Sequence, residues 1–291
     1  MTTNTNRERR PLVELRAGEA VVRIDLDHGA RIAELHVSGH DLLVEPPEPR
    51  DGSIGWGSFL MAPWPGRLAQ ARLRWRGRAV QLPRTHGANA IHGLVHAVPW
   101  RVDRLAGSEL AVSVELGPLD WPFGGRVRQR LKLEADSLTM VAEIEADAAM
   151  PAALGWHPWF RRGGTDVRLL VDADAVLERR SMIPTGRVLP VRGPTDLRAG
   201  PRLGRRRLDD TYVGARSPAV VRWPDLELRL EFPGVETVVV FSPRDALCVE
   251  PQTAWPNALG FPRPADRAGA GARSLEPGES LEATFAIRWT R

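Results

Sequence analysis

The sequence predicts an all-β fold, a large antiparallel β-sandwich with few short helices, and three observations carry that reading. Apolar and polar residues alternate with period two in several separate stretches, the mark of half-buried strands. Turn dipeptides punctuate those stretches, among them Ala17-Gly18, Ser38-Gly39, Arg76-Gly77 and Ala106-Gly107. The 27 Gly and 25 Pro also disfavour long helices.

Taken in order, the strands fall at 20–26, 110–116, 126–133, 137–145, 226–232, 236–241 and 281–289. In 110–116 the apolar set is Leu110, Val112, Val114 and Leu116; in 226–232 it is Leu226, Leu228, Leu230 and Phe232. So many amphipathic strands must bury their apolar faces against one another, which means sheets packed face to face about 10 Å apart. No internal repeat of propeller length is visible. The Pro/Gly/Arg-rich stretches 45–53, 184–204 and 261–279 read as loops, none as an interdomain linker, so residues 1–291 read as one domain.

Composition narrows the function class. With 291 residues, 43% of them hydrophobic, the chain can bury a substantial core. A single cysteine, Cys248, excludes an internal disulfide and a Cys-based zinc cluster. No uncharged apolar run approaches the ~20 residues of a membrane helix. Residues Met1–Arg10 lack the apolar core of a secretory signal. A soluble cytoplasmic protein with no membrane partner is expected.

Of 40 Lys+Arg only Lys132 is lysine, and 36 Asp+Glu leave a net charge of +4. The pairs Arg161-Arg162 and Arg179-Arg180 and the triplet 205–207 could contact phosphate or nucleic acid. No helix-turn-helix, zinc-finger or RNP pattern accompanies them, so they read as solvated strand faces and no nucleic-acid partner is expected. Neither G-x-G-x-x-G nor G-x-x-x-x-G-K-[ST] occurs, which disfavours nucleotide-binding α/β folds.

Five segments break the alternation and gather polar residues among Gly, Pro and Trp: 61–67, 89–93, 155–160, 209–212 and 249–257. Between them lie Arg67, His92, His157, Asp209, Asp210 and Glu250. Loops and strand ends set by a rigid sheet are where function usually sits. A histidine with a carboxylate suits general acid–base work near neutral pH. Trp offers a flat apolar plate for a sugar face, and Arg offers fixed donors. Any one of these segments could equally pack a sheet end; their coincidence is what points to chemistry. His28, His36, His40, His86 and His96 read as structural or surface residues, and Cys248 as a small buried hydrophobe.

In this order, Arg67 after a Pro-rich loop, Ile91-His92-Gly93, His157-x-x-Phe160, Asp209-x-x-Tyr212 and Glu250-Pro-Gln-Thr253 resemble the aldose 1-epimerase (galactose mutarotase) family. The resemblance runs from about Phe59 to Asn257. It implies a large antiparallel supersandwich and an isomerase that interconverts α and β anomers of a hexose without metal, nucleotide or redox cofactor. It makes Glu250 the base at the anomeric hydroxyl and His157 the acid at the ring oxygen, on opposite sides of the reacting centre. His92, Arg67 and Asp209 match sugar-binding positions, with Asp209 preferred over Asp210 because alternation lets only one face the pocket.

Three departures bear on specificity: Gly66 stands where the family more often has Asn, and Trp156 and Trp159 where classical members favour Asn and Tyr. The extra rings imply a differently shaped pocket. Two alternatives stay open: a hexose-6-phosphate epimerase of the same fold using Arg161 and Arg162, or a sugar-binding protein without turnover. The sequence leaves the sugar and the oligomeric state unassigned.

Overall fold

The computed structural model describes residues 11–164 and 166–290; the N-terminal segment Met1–Arg10 lies outside them. Strands Arg126–Leu133 and Ser137–Glu145 match the alternation limits. Ala20–Asp25 and Thr237–Phe241 differ from theirs by one residue at one end, and Glu109–Glu115, Glu227–Glu231 and Ser280–Thr290 by one residue at each end. All strand pairs within the large sheets are antiparallel.

A 12-stranded sheet follows the order Val13–Ala17, Ala20–Asp25, Arg31–Val37, Ser58–Met61, Gly155–Pro158, Ala246–Gln252, Thr237–Phe241, Asp209–Val213, Ala175–Arg180, Ile183–Pro190, with two short strands off this path. An 8-stranded sheet runs Arg101–Ala106, Glu109–Glu115, Arg126–Leu133, Ser137–Glu145, Ser280–Thr290, Glu227–Glu231, Arg216–Arg222, Arg168–Asp172. Apolar residues of both sheets join one buried cluster: Leu60, Trp156, Tyr212, Val238, Val240, Leu247 and Val249 with Leu131, Met140, Leu228, Phe285 and Ile287. At about 1.5–3 kcal/mol for each large apolar side chain buried, this sandwich core is the main driving force.

Trp156 shows how the core fixes the rest. Its ring lies 5.8 Å from Phe285, and its Nε1 donates to Gln129 Oε1 at 3.2 Å, both on the facing sheet. Successive strand residues point to opposite faces. The neighbours of the core residues therefore project from the outer face of the large sheet: Phe59, His157, Thr211, Val239 and Glu250.

Two stretches read as loops contain regular structure. Ile183–Pro190 is a strand paired with Ala175–Arg180 through the turn Ser181-Met182, whose φ values of 46° and 69° suit a tight hairpin. It is an edge strand that buries little beyond Pro184, so it carries no apolar alternation to read. Within 261–279 lie the short helix Pro264–Gly269 and strand Arg273–Leu275, paired with Met150–Ala152. The segment 45–53 forms no helix or strand. Pro264–Gly269 is the one α-helix among the described residues, and no helix there is long and apolar enough to cross a membrane.

Candidate active site

The outer face of the large sheet carries a pocket of about 300 Å³, at the small end of the range for small-molecule sites. Its floor comes from consecutive strands of one sheet, namely His157, Glu250 with Gln252, Val239 with Phe241, Asp209 with Thr211, and Leu177 with Arg179. Arg67, His86, His92, Trp159 and Met182 complete the walls. All five residues singled out as site candidates therefore line one cavity. Asp209 lines it and Asp210 does not.

His157 and Glu250 are 3% and 2% exposed, and His157 Nε2 lies 3.3 Å from Glu250 Oε1. They sit side by side, not on opposite sides of a sugar ring. The cause is register: Gly155 pairs with Gln252 and Phe160 with Leu247, so 157 and 250 are cross-strand neighbours on the same face. Gln252, two residues on and on that face too, donates from Nε2 to Glu250 Oε2 at 3.1 Å.

Burial sets the protonation of the pair. It lowers the His157 pKa to about 3, helped by the positive charge of Arg31 and by His96. It raises the Glu250 pKa well above the ordinary carboxylate value; Asp209 adds to this, while Gln252 and Arg67 oppose it. Both groups are thus driven to their neutral forms, and the 3.3 Å contact joins neutral partners with one titratable proton between them. Burial also keeps His92 neutral, with its pKa well below the usual value. His92 stands edge-on to His157, ring centroids 4.9 Å apart.

The loops that bring Arg67 and His92 to the pocket depend on two glycines. A Cβ on Gly93 (φ +74°) would lie 1.9 Å from Ala62 O, so glycine is required at 93 for the two backbones to meet. Gly66, at φ +64°, would place a Cβ 2.7 Å from Pro256 Cβ, and its carbonyl accepts from His92 N at 2.9 Å. Glycine at this departure thus serves close packing against the 249–257 segment. Asn257 Oδ1 accepts from Ala69 N at 2.9 Å and ties the same loops together.

Several expectations are corrected. Trp159 lines the pocket, stacked on His157 at 5.1 Å with planes 4° apart, but Trp156 lies in the sandwich core. Arg161 binds Glu45 and Leu43 O, and Arg162 is buried against the carbonyls of Gly204, Arg206 and Pro243; neither lines the pocket. His86, read as structural or surface, lines it. Arg179, read only as part of an arginine pair, lines it and holds Asp209 Oδ1 at 2.6 Å. Gln252 carried a usable signal, its two-residue step from Glu250; His86 and Arg179 carried none.

His157, Cys248 and Glu250 offer donor atoms within 4.8 Å of one another. They fit a metal poorly, because burial keeps the Cys248 thiol and the Glu250 carboxyl protonated, and a metal needs both ionised. Among the described residues that line the pocket, four buried polar side-chain atoms make no hydrogen bond: His92 Nδ1, His157 Nδ1, Trp159 Nε1 and Gln252 Oε1. Such atoms are rare in folded proteins and here suit a polyhydroxylated ligand.

Known proteins resemble this chain over most of its length. A putative aldose 1-epimerase of Escherichia coli K12 superposes with TM-score 0.83 at 20% identity, covering 96% of this chain and 98% of that one. A galactose 1-epimerase of Lactobacillus acidophilus gives TM-score 0.78 at 20% identity, covering 97% and 96%. An aldose epimerase homologue of C. elegans gives 0.83 at 18%, covering 96% and 98%. At these identities the likeness is one of fold. The uncharacterised Escherichia coli K12 protein YihR is 29% identical over 161 residues, 53% of this chain and 52% of that protein, so the match spans about half the length of this curated relative. The family model described as aldose 1-epimerase matches residues 11–288, and the chain belongs to that family.

Proposed function

We propose that the protein interconverts the α and β anomers of a free hexose by acid–base opening and reclosure of the ring. The observation that supports this most is the buried His157–Glu250 contact on the floor of a monosaccharide-sized pocket. A hemiacetal opens when its C1 hydroxyl loses a proton while the ring oxygen gains one. Both oxygens are bonded to C1 and so lie on one edge of the ring. A side-by-side pair can address that edge without enclosing the sugar.

With one proton between them, the pair can give to one oxygen while accepting from the other, avoiding a charged intermediate. Each group supplies roughly 10²–10⁴-fold. Glu250 acts as base and His157 as acid once the shared proton has crossed their contact; the neutral arrangement serves the reverse assignment. The two belong to one protonation state of the pair. After opening, the carbonyl turns about C1–C2 and recloses on its other face with the roles exchanged. Arg67 donates to sugar oxygens, Asp209 accepts from hydroxyls while steered by Arg179, and His92 and Gln252 offer their unpartnered atoms.

Phosphorylated hexose is the weaker reading, because Arg161 and Arg162 are occupied elsewhere. The test is polarimetry with freshly dissolved α-glucose, α-galactose and α-glucose 6-phosphate in parallel. Faster equilibration of at least one free hexose, lost in Glu250→Gln, is expected. No acceleration of any free hexose would sink the proposal.

A further inference from the structure

Arg31 opens strand Arg31–Val37 and is fully buried. Its guanidinium Cζ lies 4.2 Å from the Trp56 ring centroid and 4.6 Å from that of Phe59. The Phe59 ring stacks on His157 at 5.0 Å, and His157 stacks in turn on Trp159 at 5.1 Å. Trp56, Arg31, Phe59, His157 and Trp159 thus form one column running into the pocket wall. The sheet builds it: Ile32 pairs with Ser58, and Phe59 pairs with His157 across the next ladder.

The cation in this column is costly. Its hydrogen bonds go to three backbone carbonyls, those of Ser53, Trp56 and His96, and among the described residues it makes no ion pair. Asp25 and Asp51 act on it only at longer range, and burial lowers its pKa to about 9, which leaves it charged at neutral pH. A buried charge without a carboxylate in contact is expensive to keep. An apolar residue could fill the same volume without that cost.

We infer that Arg31 is a positioning residue for His157: its guanidinium, held between Trp56 and Phe59, anchors an aromatic column that fixes the imidazole plane and sets a fixed positive charge behind that ring. This rests on His157 being half of the proton-transfer pair. Around His157 stand Glu250 in contact, His92 edge-on, His96 beyond the Phe59 ring and the Cys248 thiol. None of these neighbours is a fixed cation; Arg31, behind the Phe59 ring, lowers the His157 pKa more than any group apart from burial itself.

The experiment compares Arg31→Gln and Arg31→Lys with the wild type, reading the His157 ring by NMR titration and kcat/KM against pH by polarimetry. Unit charges on the order of 10 Å apart at an effective dielectric of about 20 shift a titration by roughly one pH unit. Arg31→Gln should raise the His157 midpoint and the acid limb of activity by that amount; Arg31→Lys should leave both near the wild-type values. An unmoved midpoint in Arg31→Gln, or equal movement in both variants, overturns the inference, since a staple of the fold would lower stability without moving the limb. If Arg31→Gln does not fold, Phe59→Leu tests the column: kcat should fall at least about tenfold with KM nearly unchanged, and an unchanged kcat overturns it. The NMR midpoint is read whether or not sugar turns over, so failure of the mutarotase reading is distinguishable from failure of this one.

Discussion

Replacing Glu250 by Gln makes two opposite demands on the protein. Gln is nearly isosteric, and its carbonyl oxygen can still accept from Gln252 Nε2, now 3.1 Å from Glu250 Oε2. The shape is kept and one of the two proposed proton-transfer groups is removed. Catalysed mutarotation should fall by roughly 10²–10⁴-fold, about 3–5 kcal/mol of barrier. Stability should move the other way. The unfolded carboxyl ionises near ~4.3, whereas burial holds the folded one protonated to much higher pH. What this group contributes to stability is therefore intact below ~4.3 and is lost as pH rises towards the folded pKa, at up to about 1.4 kcal/mol per pH unit. An amide loses nothing over that range. The variant should gain on the wild type as pH rises above ~4.3 in denaturant melts while its polarimetric rate collapses. A rate within a few-fold of wild type, or a stability difference independent of pH, would refute the reasoning.

Further expectations follow from the same geometry. With the His157 pKa near 3 and that of Glu250 raised, the one-proton state of the pair spans the middle of the pH range; kcat/KM should be flat through pH 6.5, falling only towards pH 3 as His157 takes a second proton and at high pH as Glu250 loses its own. A limb at ordinary histidine pH, about 6.5, would contradict the burial argument. Asp209→Asn removes the partner of Arg179 at a site about one-third exposed, so stability should change by less than about 1 kcal/mol while KM for the sugar rises; an unchanged KM would remove Asp209 from the binding set. Gly93→Ala forces a Cβ into Ala62 O at 1.9 Å with φ held at +74°, and its thermal midpoint should drop by an amount worth at least about 2 kcal/mol.

Period-two alternation made the fold class and seven strands of the two large sheets legible, because strand residues face a core on one side and solvent on the other. Edge strand Ile183–Pro190 was missed for the same reason: it buries almost nothing, so it leaves no pattern. The site was legible only as residue types in a family-like order. Which face each residue takes follows from local alternation, as Asp209 beside Asp210 shows. Which side chains meet does not.

By itself the sequence determined that many amphipathic strands would pair into sheets, and it marked His92, His157, Arg67, Asp209 and Glu250 as chemistry in search of a common place. Only the tertiary structure decided that residues 157 and 250 stand opposite each other on neighbouring strands, that Trp156 turns into the core while Trp159 walls the pocket, and that Arg162 serves backbone carbonyls. Burial likewise decided which protons the site holds. Register and solvent exclusion are properties of chain segments brought together from far apart, and no short-range pattern encodes them.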